Sequence, residues 1–291
     1  MTKYIKSPFC YVGNKYKQLP QLMQIFPEKS NNFIDLFTGG GDVAINMFSR
    51  AEHIFANDIN SFSIDIMKVF KEQDINDILT FIDKRIKEFK LTKTNKEGYM
   101  KYRSLYNERG SYYSPLDLFT LARYSFNNNM RFNNNGEMNS AFGANRSSFN
   151  PNQRNNTILL WKALQNITIT NLDFRDFPIN NLNESDFIYC DPPYLITDAY
   201  YNNGADKSNQ RLTYEDDKAL FDFLDSCKAK WAMSNVLMHR GNKNEPLIEW
   251  ANKYYTYNIK SDYSHCVACA DLSREKTDKT IEVVITNYKK E

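Results

Sequence analysis

Cysteine is scarce in this chain, with five residues in 291 and irregular spacing, too few for a disulfide framework and suited to a reducing interior. Cys266 and Cys269 form a C-x-x-C with only His265 beside them and no second pair at zinc spacing. That pattern reads as coincidence in a loop, and no metal is expected. No apolar stretch is long enough to cross a bilayer, and Met1-Thr2-Lys3 begins no signal-peptide pattern. The expectation is therefore a soluble, cytoplasmic protein with no membrane partner. Internal repeats and low-complexity linkers are also missing. So is a charge excess of one sign, since 37 Lys and Arg face 35 Asp and Glu for a net charge of +2. The distribution is less even: residues 61 to 155 carry fifteen basic and ten acidic side chains. This bias permits a phosphate-facing surface there, as would any solvated helical face.

What is present is an α/β pattern interrupted once. Asn32 to Phe37 reads as a short buried strand, followed by the turn Thr38-Gly39-Gly40-Gly41 and a helix beginning near Asp42. A second strand, Ile54 to Ala56, ends in Asn57-Asp58, where the second strand of a nucleotide-binding sheet places a ribose-binding carboxylate. From Ser61 onward the apolar residues Ile64, Met67, Val69, Phe70, Ile78, Phe81, Ile82, Ile86 and Phe89 recur at helical spacing. Asn133-Asn134-Asn135-Gly136, beside Arg131-Phe132, signals a hairpin. The alternation then resumes. The pattern predicts a helix over 157 to 166, strands over 167 to 170 and 187 to 190, a helix over 215 to 226 and a strand over 231 to 234. A helix over 245 to 254 and a strand over 281 to 286 follow. The division expected is residues 1–60 with 156–291 as one domain and 61–155 as a mainly helical domain inserted into it.

Two segments carry chemistry. The small residues of the glycine turn let backbone approach a nucleotide-like ligand, with Asp58 placed for ribose hydroxyls, although dehydrogenases share this logic and a plain tight turn gives the same residues. Asp191-Pro192-Pro193-Tyr194, directly after the apolar run Phe187 to Cys190, narrows the choice. An exocyclic amine on a nucleobase is a poor nucleophile because its lone pair is delocalised into the ring. Two fixed acceptors, the Asp191 carboxylate and the Pro192 carbonyl, can take its two N–H bonds and expose that lone pair to a methyl donor. The proline pair stiffens the turn, and Tyr194 can stack on a base removed from its helix.

In this order the motifs resemble those of the Dam family of DNA adenine-N6 methyltransferases, over most of the chain. Tyr11-Val12-Gly13-Asn14-Lys15 resembles the N-terminal motif, Asp35 to Gly41 the cofactor loop, and Asn57-Asp58 the ribose acid. Asn171-Leu172-Asp173-Phe174 resembles the motif that binds the cofactor's adenine, Asp191 to Tyr194 the catalytic motif, and Val284 to Tyr288 the family ending. The resemblance implies a Rossmann-like class I methyltransferase sheet with an inserted target-recognition domain. It implies S-adenosylmethionine as methyl donor, held by Tyr11, Lys15, Asp35, Phe37, Gly39, Gly41, Asp58, Asp173, Phe174 and Asp191, with duplex DNA as substrate. It further implies DNA contacts from the hairpin segment 126 to 146: Phe126 inserting where the base flips (a buried core would use it equally), Arg131 reading a guanine, and Asn127, Asn129, Ala141, Asn145 and Arg146 nearby. A cognate restriction endonuclease is a conceivable system partner. Cys10, Asn129 and Ala141 stand where members acting on GATC have lysine, leucine and proline, so GATC is only a first site to test. The alternatives are cytosine-N4 methylation, which the same acceptor geometry suits, and a non-catalytic DNA-binding protein with a degenerate methyltransferase fold.

Overall fold

A computed structural model describes residues 4 to 9, 13 to 108, 114 to 133, 135 to 197, 213 to 260 and 280 to 290. Its centre is one mixed sheet. The strands in chain order are β1 (Ser30–Asp35), β2 (Ala51–Asn57), β3 (Ile167–Thr170), β4 (Phe187–Cys190), β5 (Lys230–His239), β6 (Asn242–Lys243), β7 (Tyr255–Ile259) and β8 (Ile281–Thr286). Spatially they run β3-β2-β1-β4-β5-β8-β7, with β6 folded back on β5. The β3 to β5 portion is parallel, and β8 enters antiparallel between β5 and β7.

The local sequence explains the central strands. All four residues of β4 are buried, as a parallel strand covered on both faces requires. Alternate residues serve two cores: Phe33, Phe187, Tyr189 and Val284 join one cluster, while Ile34, Ile188, Cys190 and Val283 join another with Trp231 and Trp250. Strand β1 pairs with β2 on one side and β4 on the other. Strand order therefore diverges between β1 and β4, and a ligand crevice is expected at their carboxyl ends.

Between β2 and β3 lie α2 (Ser61–Glu72), α3 (Ile75–Glu88), α4 (Lys96–Glu108), α5 (Pro115–Ala122) and α6 (Pro151–Leu164). Each start has a side-chain cap: Asn60, Asp74, Asn95, Ser114 and Asn150 accept backbone N–H groups of α2, α3, α4, α5 and α6, and proline opens the last two. Phe62, Phe70, Ile78, Tyr102 and Phe119 from these helices belong to the cluster that covers one sheet face. Sheet and insertion thus share a continuous core on that side.

The hairpin forms, held by two single bridges, Ser125 with Phe142 and Phe132 with Met138. Phe132 stacks on Phe62 of α2 with ring centroids 4.0 Å apart, which seats the hairpin on the insertion. At its base Gly143 donates its N–H to Tyr124 O at 2.9 Å.

Three elements depart from expectation. Instead of a helix at Asp42 there is only a 3-10 turn, Ala44–Asn46. β2 begins at Ala51, and the Asp42 carboxylate accepts the N–H of Ser7 instead of capping a helix. A short helix α1 (Leu19–Ile25) was not foreseen, because seven residues give little periodicity. Nor was β7, an edge strand whose mostly exposed YTYNI lacks apolar alternation. The helix expected over 245 to 254 is α8 (Glu245–Ala251), and that over 215 to 226 is α7 (Tyr214–Ser226).

A Cβ at Gly143 would stand 2.5 Å from the Ser125 carbonyl and 2.3 Å from Ser147 Oγ. Gly143→Ala should therefore destabilise the protein by about 1–3 kcal/mol, as overpacking does. Denaturant titration checks this, and a midpoint equal to wild type would contradict the hairpin packing.

Candidate active site

Four strand ends deliver carboxyl or amide groups to the crevice. Strand β1 ends in Asp35, which is 1% exposed; its Oδ2 accepts from Thr38 Oγ1 and from the Ala44 N–H, each at 3.1 Å. It therefore holds the glycine turn from beneath. Gly39 and Gly41 take positive φ values of 50° and 80°, the left-handed region open to glycine. Strand β2 delivers Asn57 and Asp58. Asp58 Oδ2 accepts the Gly39 N–H at 2.7 Å, and Oδ1 accepts the Asn60 N–H at 2.8 Å. Asp58 thus ties the turn to β2.

Asn57 bridges across the crevice floor. Its side chain donates to the Leu36 and Leu172 carbonyls and accepts from Thr170 Oγ1 and the Leu172 N–H. Asn171 Nδ2 donates to the Asp58 carbonyl. Through these bonds the segment after β3 is registered against β2, and Phe174 comes to lie 5.7 Å from Phe37, centroid to centroid. Asp173 caps the 3-10 turn Phe174–Asp176, and both its oxygens pair with Arg175.

Strand β4 ends in the Asp191 motif. Lys15 Nζ lies 2.7 Å from Asp191 Oδ2, and its side chain is 5% exposed. The same ammonium donates to the Gly13 carbonyl and stands 5.2 Å from the Tyr194 ring centre. Tyr194 OH lies 3.0 Å from Asp191 Oδ1. Both carboxylate oxygens are therefore held before any ligand arrives. Tyr189, two residues earlier on the same face, bonds Ser234 Oγ at 2.7 Å.

The acids influence one another. Burial pushes the Asp35 carboxyl up to about 8, opposed by the Thr38 and Ala44 bonds and reinforced by Asp191 and Asp58. Burial raises Asp58 to about 6 against its two backbone N–H bonds, with Asp191 adding to the rise. Asp191 is also raised by burial, while Lys15 and Tyr194 pull it down and Glu282 pushes it up. The crevice accordingly gathers carboxyls that burial pushes toward their neutral, hydrogen-bonding forms, with the Lys15 ammonium beside Asp191. Among the described residues no cluster of His, Cys, Asp and Glu could hold a metal ion, and no helix is long and apolar enough to span a membrane.

The sites expected from sequence divide into two groups. Lys15, Asp35, Phe37, Gly39, Gly41, Asp58, Asp173, Phe174 and Asp191 to Tyr194 lie on the turns that follow β1 to β4 or against them. Phe126, Asn127, Asn129, Arg131, Ala141, Asn145 and Arg146 lie on the hairpin and its flanks. Phe126 is 43% exposed; Arg131, Ala141, Asn145 and Arg146 are exposed, and Asn127 and Asn145 have positive φ. The Arg131 N–H is taken by Ser140 Oγ, which presents the side chain outward. Tyr11, Cys10 and the Cys266/Cys269 pair with His265 lie outside the described residues. Sequence reasoning missed Glu282, which bonds Tyr194 from β8. A lone acid within the apolar strand Ile281 to Thr286 was the available signal.

Strand order, the glycine turn and the acids at four strand ends define a Rossmann-like, class I methyltransferase-type architecture. The chain belongs to the D12 class of N6 adenine-specific DNA methyltransferases, whose family pattern matches residues 11–265. It is 40% identical over 290 residues to the Type II methyltransferase M.FokI of Planomicrobium okeanokoites and 38% identical over 290 residues to the modification methylase StsI of Streptococcus sanguinis. Each match covers 98% of this chain and 43% of the relative, so the chain spans less than half the length of either. A DNA adenine methylase of Vibrio cholerae is 25% identical over 230 residues, 78% of each chain. Among solved structures, a putative rRNA-methylase from Clostridium thermocellum aligns with 95% of this chain and 99% of its own at a TM-score of 0.40 and 11% identity, too distant to add to the assignment.

Asp35 holds a proton between pH about 4 and about 8 in the folded state that the unfolded chain has released, so its contribution makes stability fall as pH rises through that window. Asp35→Asn keeps an acceptor for Thr38 and Ala44 and removes this titration. The drop in Tm between about pH 5 and pH 8.5 should be smaller in Asp35→Asn than in wild type. Thermal melts at both pH values decide, and an unchanged drop would count against the raised Asp35 carboxyl.

Proposed function

We propose that the chain transfers a methyl group from S-adenosylmethionine to the N6 amine of an adenine turned out of duplex DNA at a short site. The observation that carries this reading is the Asp191 carboxylate, fixed at the end of β4 between Lys15 and Tyr194 in a chain of the D12 class.

The donor set suits the cofactor. Asp58 is placed for ribose hydroxyls, Phe37 and Phe174 offer faces for an adenine ring beside Asp173, and the turn 38 to 41 lets backbone approach closely. A Cβ on Gly41 would come within 3.2 Å of Met67 Cε. Asp58 and Asp191 are carboxyl groups whose ionised forms favour a sulfonium cation. When bound, the cofactor supplies an electrophilic methyl carbon on that sulfonium.

Asp191 and the Pro192 carbonyl accept the two N–H bonds of the adenine amine and hold its lone pair toward the methyl carbon. A C–N bond forms as the C–S bond breaks, with that electron pair left on sulfur, and the methylated nitrogen then releases one proton to solvent. Tyr194 stacks on the base and excludes water, and Lys15 keeps the carboxylate in position. In the same reading the hairpin meets DNA. Phe126 fills the gap left by the flipped base, Arg131 contacts a guanine edge, and Asn127, Asn129, Ala141, Asn145 and Arg146 line the contact. Among the described residues the Arg131 guanidinium makes no hydrogen bond or ion pair, which leaves it available for a base. Modification methylases among the relatives favour a role beside a restriction endonuclease, and GATC is the first site to test.

Incubation with methyl-labelled cofactor and unmethylated DNA should place label in N6-methyladenine; label in N4-methylcytosine or none from folded protein would refute the reading. Asp191→Asn should lower kcat by about 100-fold or more, the scale for losing one preorganised polar group, with cofactor affinity by calorimetry near wild type. Arg131→Ala should weaken discrimination at one base by about 1–3 kcal/mol while methylation of non-cognate sites changes little. Single-molecule sequencing of modified DNA reads this directly, and unchanged site preference would remove Arg131 from recognition.

A further inference from the structure

Glu282 is an acid in the middle of the sheet. It sits on β8 between apolar neighbours, is 4% exposed, and faces the same side as Val284 and Tyr189. Its Oε1 lies 3.3 Å from Tyr194 OH, and among the described residues its buried Oε2 has no hydrogen-bond partner. A buried carboxyl with so few partners is costly to keep, and the partner it has among the described residues is the tyrosine of the catalytic motif.

Tyr194 has one hydroxyl proton and two carboxyl acceptors, Asp191 Oδ1 at 3.0 Å and Glu282 Oε1 at 3.3 Å. A single O–H donates well to only one of them. While it donates to Asp191, it takes one lone pair of Oδ1, the oxygen opposite the Lys15 contact at Oδ2 and the less encumbered one for a substrate N–H.

We infer that Glu282 is a positioning residue for methyl transfer: it takes the Tyr194 hydroxyl proton as the target amine arrives, freeing Asp191 Oδ1 for the amine and fixing the Tyr194 ring over the base. This rests on the reading of Asp191 as acceptor for the target amine. No bond other than hydrogen bonds changes, since the O–H proton stays on Tyr194 and turns from one carboxyl to the other. Glu282 itself touches neither base nor cofactor.

The test is a double-mutant cycle in the full chain, with single-turnover methylation of duplex DNA as readout. Glu282→Met keeps the shape and removes the acceptor, and should slow the transfer rate about tenfold or more while cofactor affinity by calorimetry stays near wild type. Glu282→Gln keeps an acceptor oxygen and should restore the rate to within about threefold of wild type. Tyr194→Phe removes the proton that Glu282 receives, so Tyr194→Phe with Glu282→Met should be no slower than Tyr194→Phe alone. Rate losses that multiply in the double variant would overturn the inference, as would Glu282→Gln as slow as Glu282→Met. If Glu282→Met does not fold, the Glu282→Gln and Tyr194→Phe pair decides by itself: a slow but folded, cofactor-binding Glu282→Gln overturns it. A wild-type protein that transfers no methyl group would instead defeat the proposed function, so the two failures are distinguishable.

Discussion

The ion pair between Lys15 and Asp191, 2.7 Å long and largely shielded from water, is the interaction on which the crevice depends. Asp35, Asp58 and Asp191 lie at the carboxyl ends of β1, β2 and β4, Glu282 meets them from the amino end of the antiparallel β8, and desolvation raises the first three. A buried carboxylate in such company stays charged only with a close cation. Lys15, from the segment before α1, supplies it. That contact binds the N-terminal part of the chain to the end of β4 and pulls the Asp191 carboxyl down against the rise that burial imposes.

Around that pair the same few side chains serve both structure and chemistry. Asp58 closes the glycine turn through Gly39 and, in the proposed function, faces the ribose. Asp35 holds Thr38 and Ala44 from below. Asn57 fixes the loops after β1 and β3 to each other through four bonds. An open parallel sheet gathers loops at one edge, and backbone groups in those loops lack ladder partners. Side-chain carboxylates and amides satisfy them, and the residues that do so are then already in place for a ligand.

The insertion contributes through its shared core. Its helices complete the apolar cover of one sheet face, with Phe62 and Phe70 in the cluster that holds Phe33 and Tyr189. The hairpin is seated on that platform by the Phe62 and Phe132 stack. Arg131 therefore projects from a surface packed against the core of the sheet that carries Asp191.

Much of this was legible in the residues alone. Strands Ile167–Thr170, Phe187–Cys190 and Ile281–Thr286 fall where the sequence placed them, because short runs rich in β-branched and aromatic residues, bounded by turn residues, are too short for helices. The ordered motifs carried the family, since Asp191 to Tyr194 and the turn at 38 to 41 encode local geometry in contiguous residues. What adjacency in sequence does not encode had to come from the fold. The Asp42 segment forms only a turn because Asp42 bonds Ser7, thirty-five residues away. β7 exists because β8 offers it an edge, and Glu282 meets Tyr194 only because β8 is inserted antiparallel beside β5. Local sequence set which segments form elements and which turns carry chemistry. Tertiary structure decided which buried charges face each other, because a carboxyl's partner and its desolvation are properties of the assembled core.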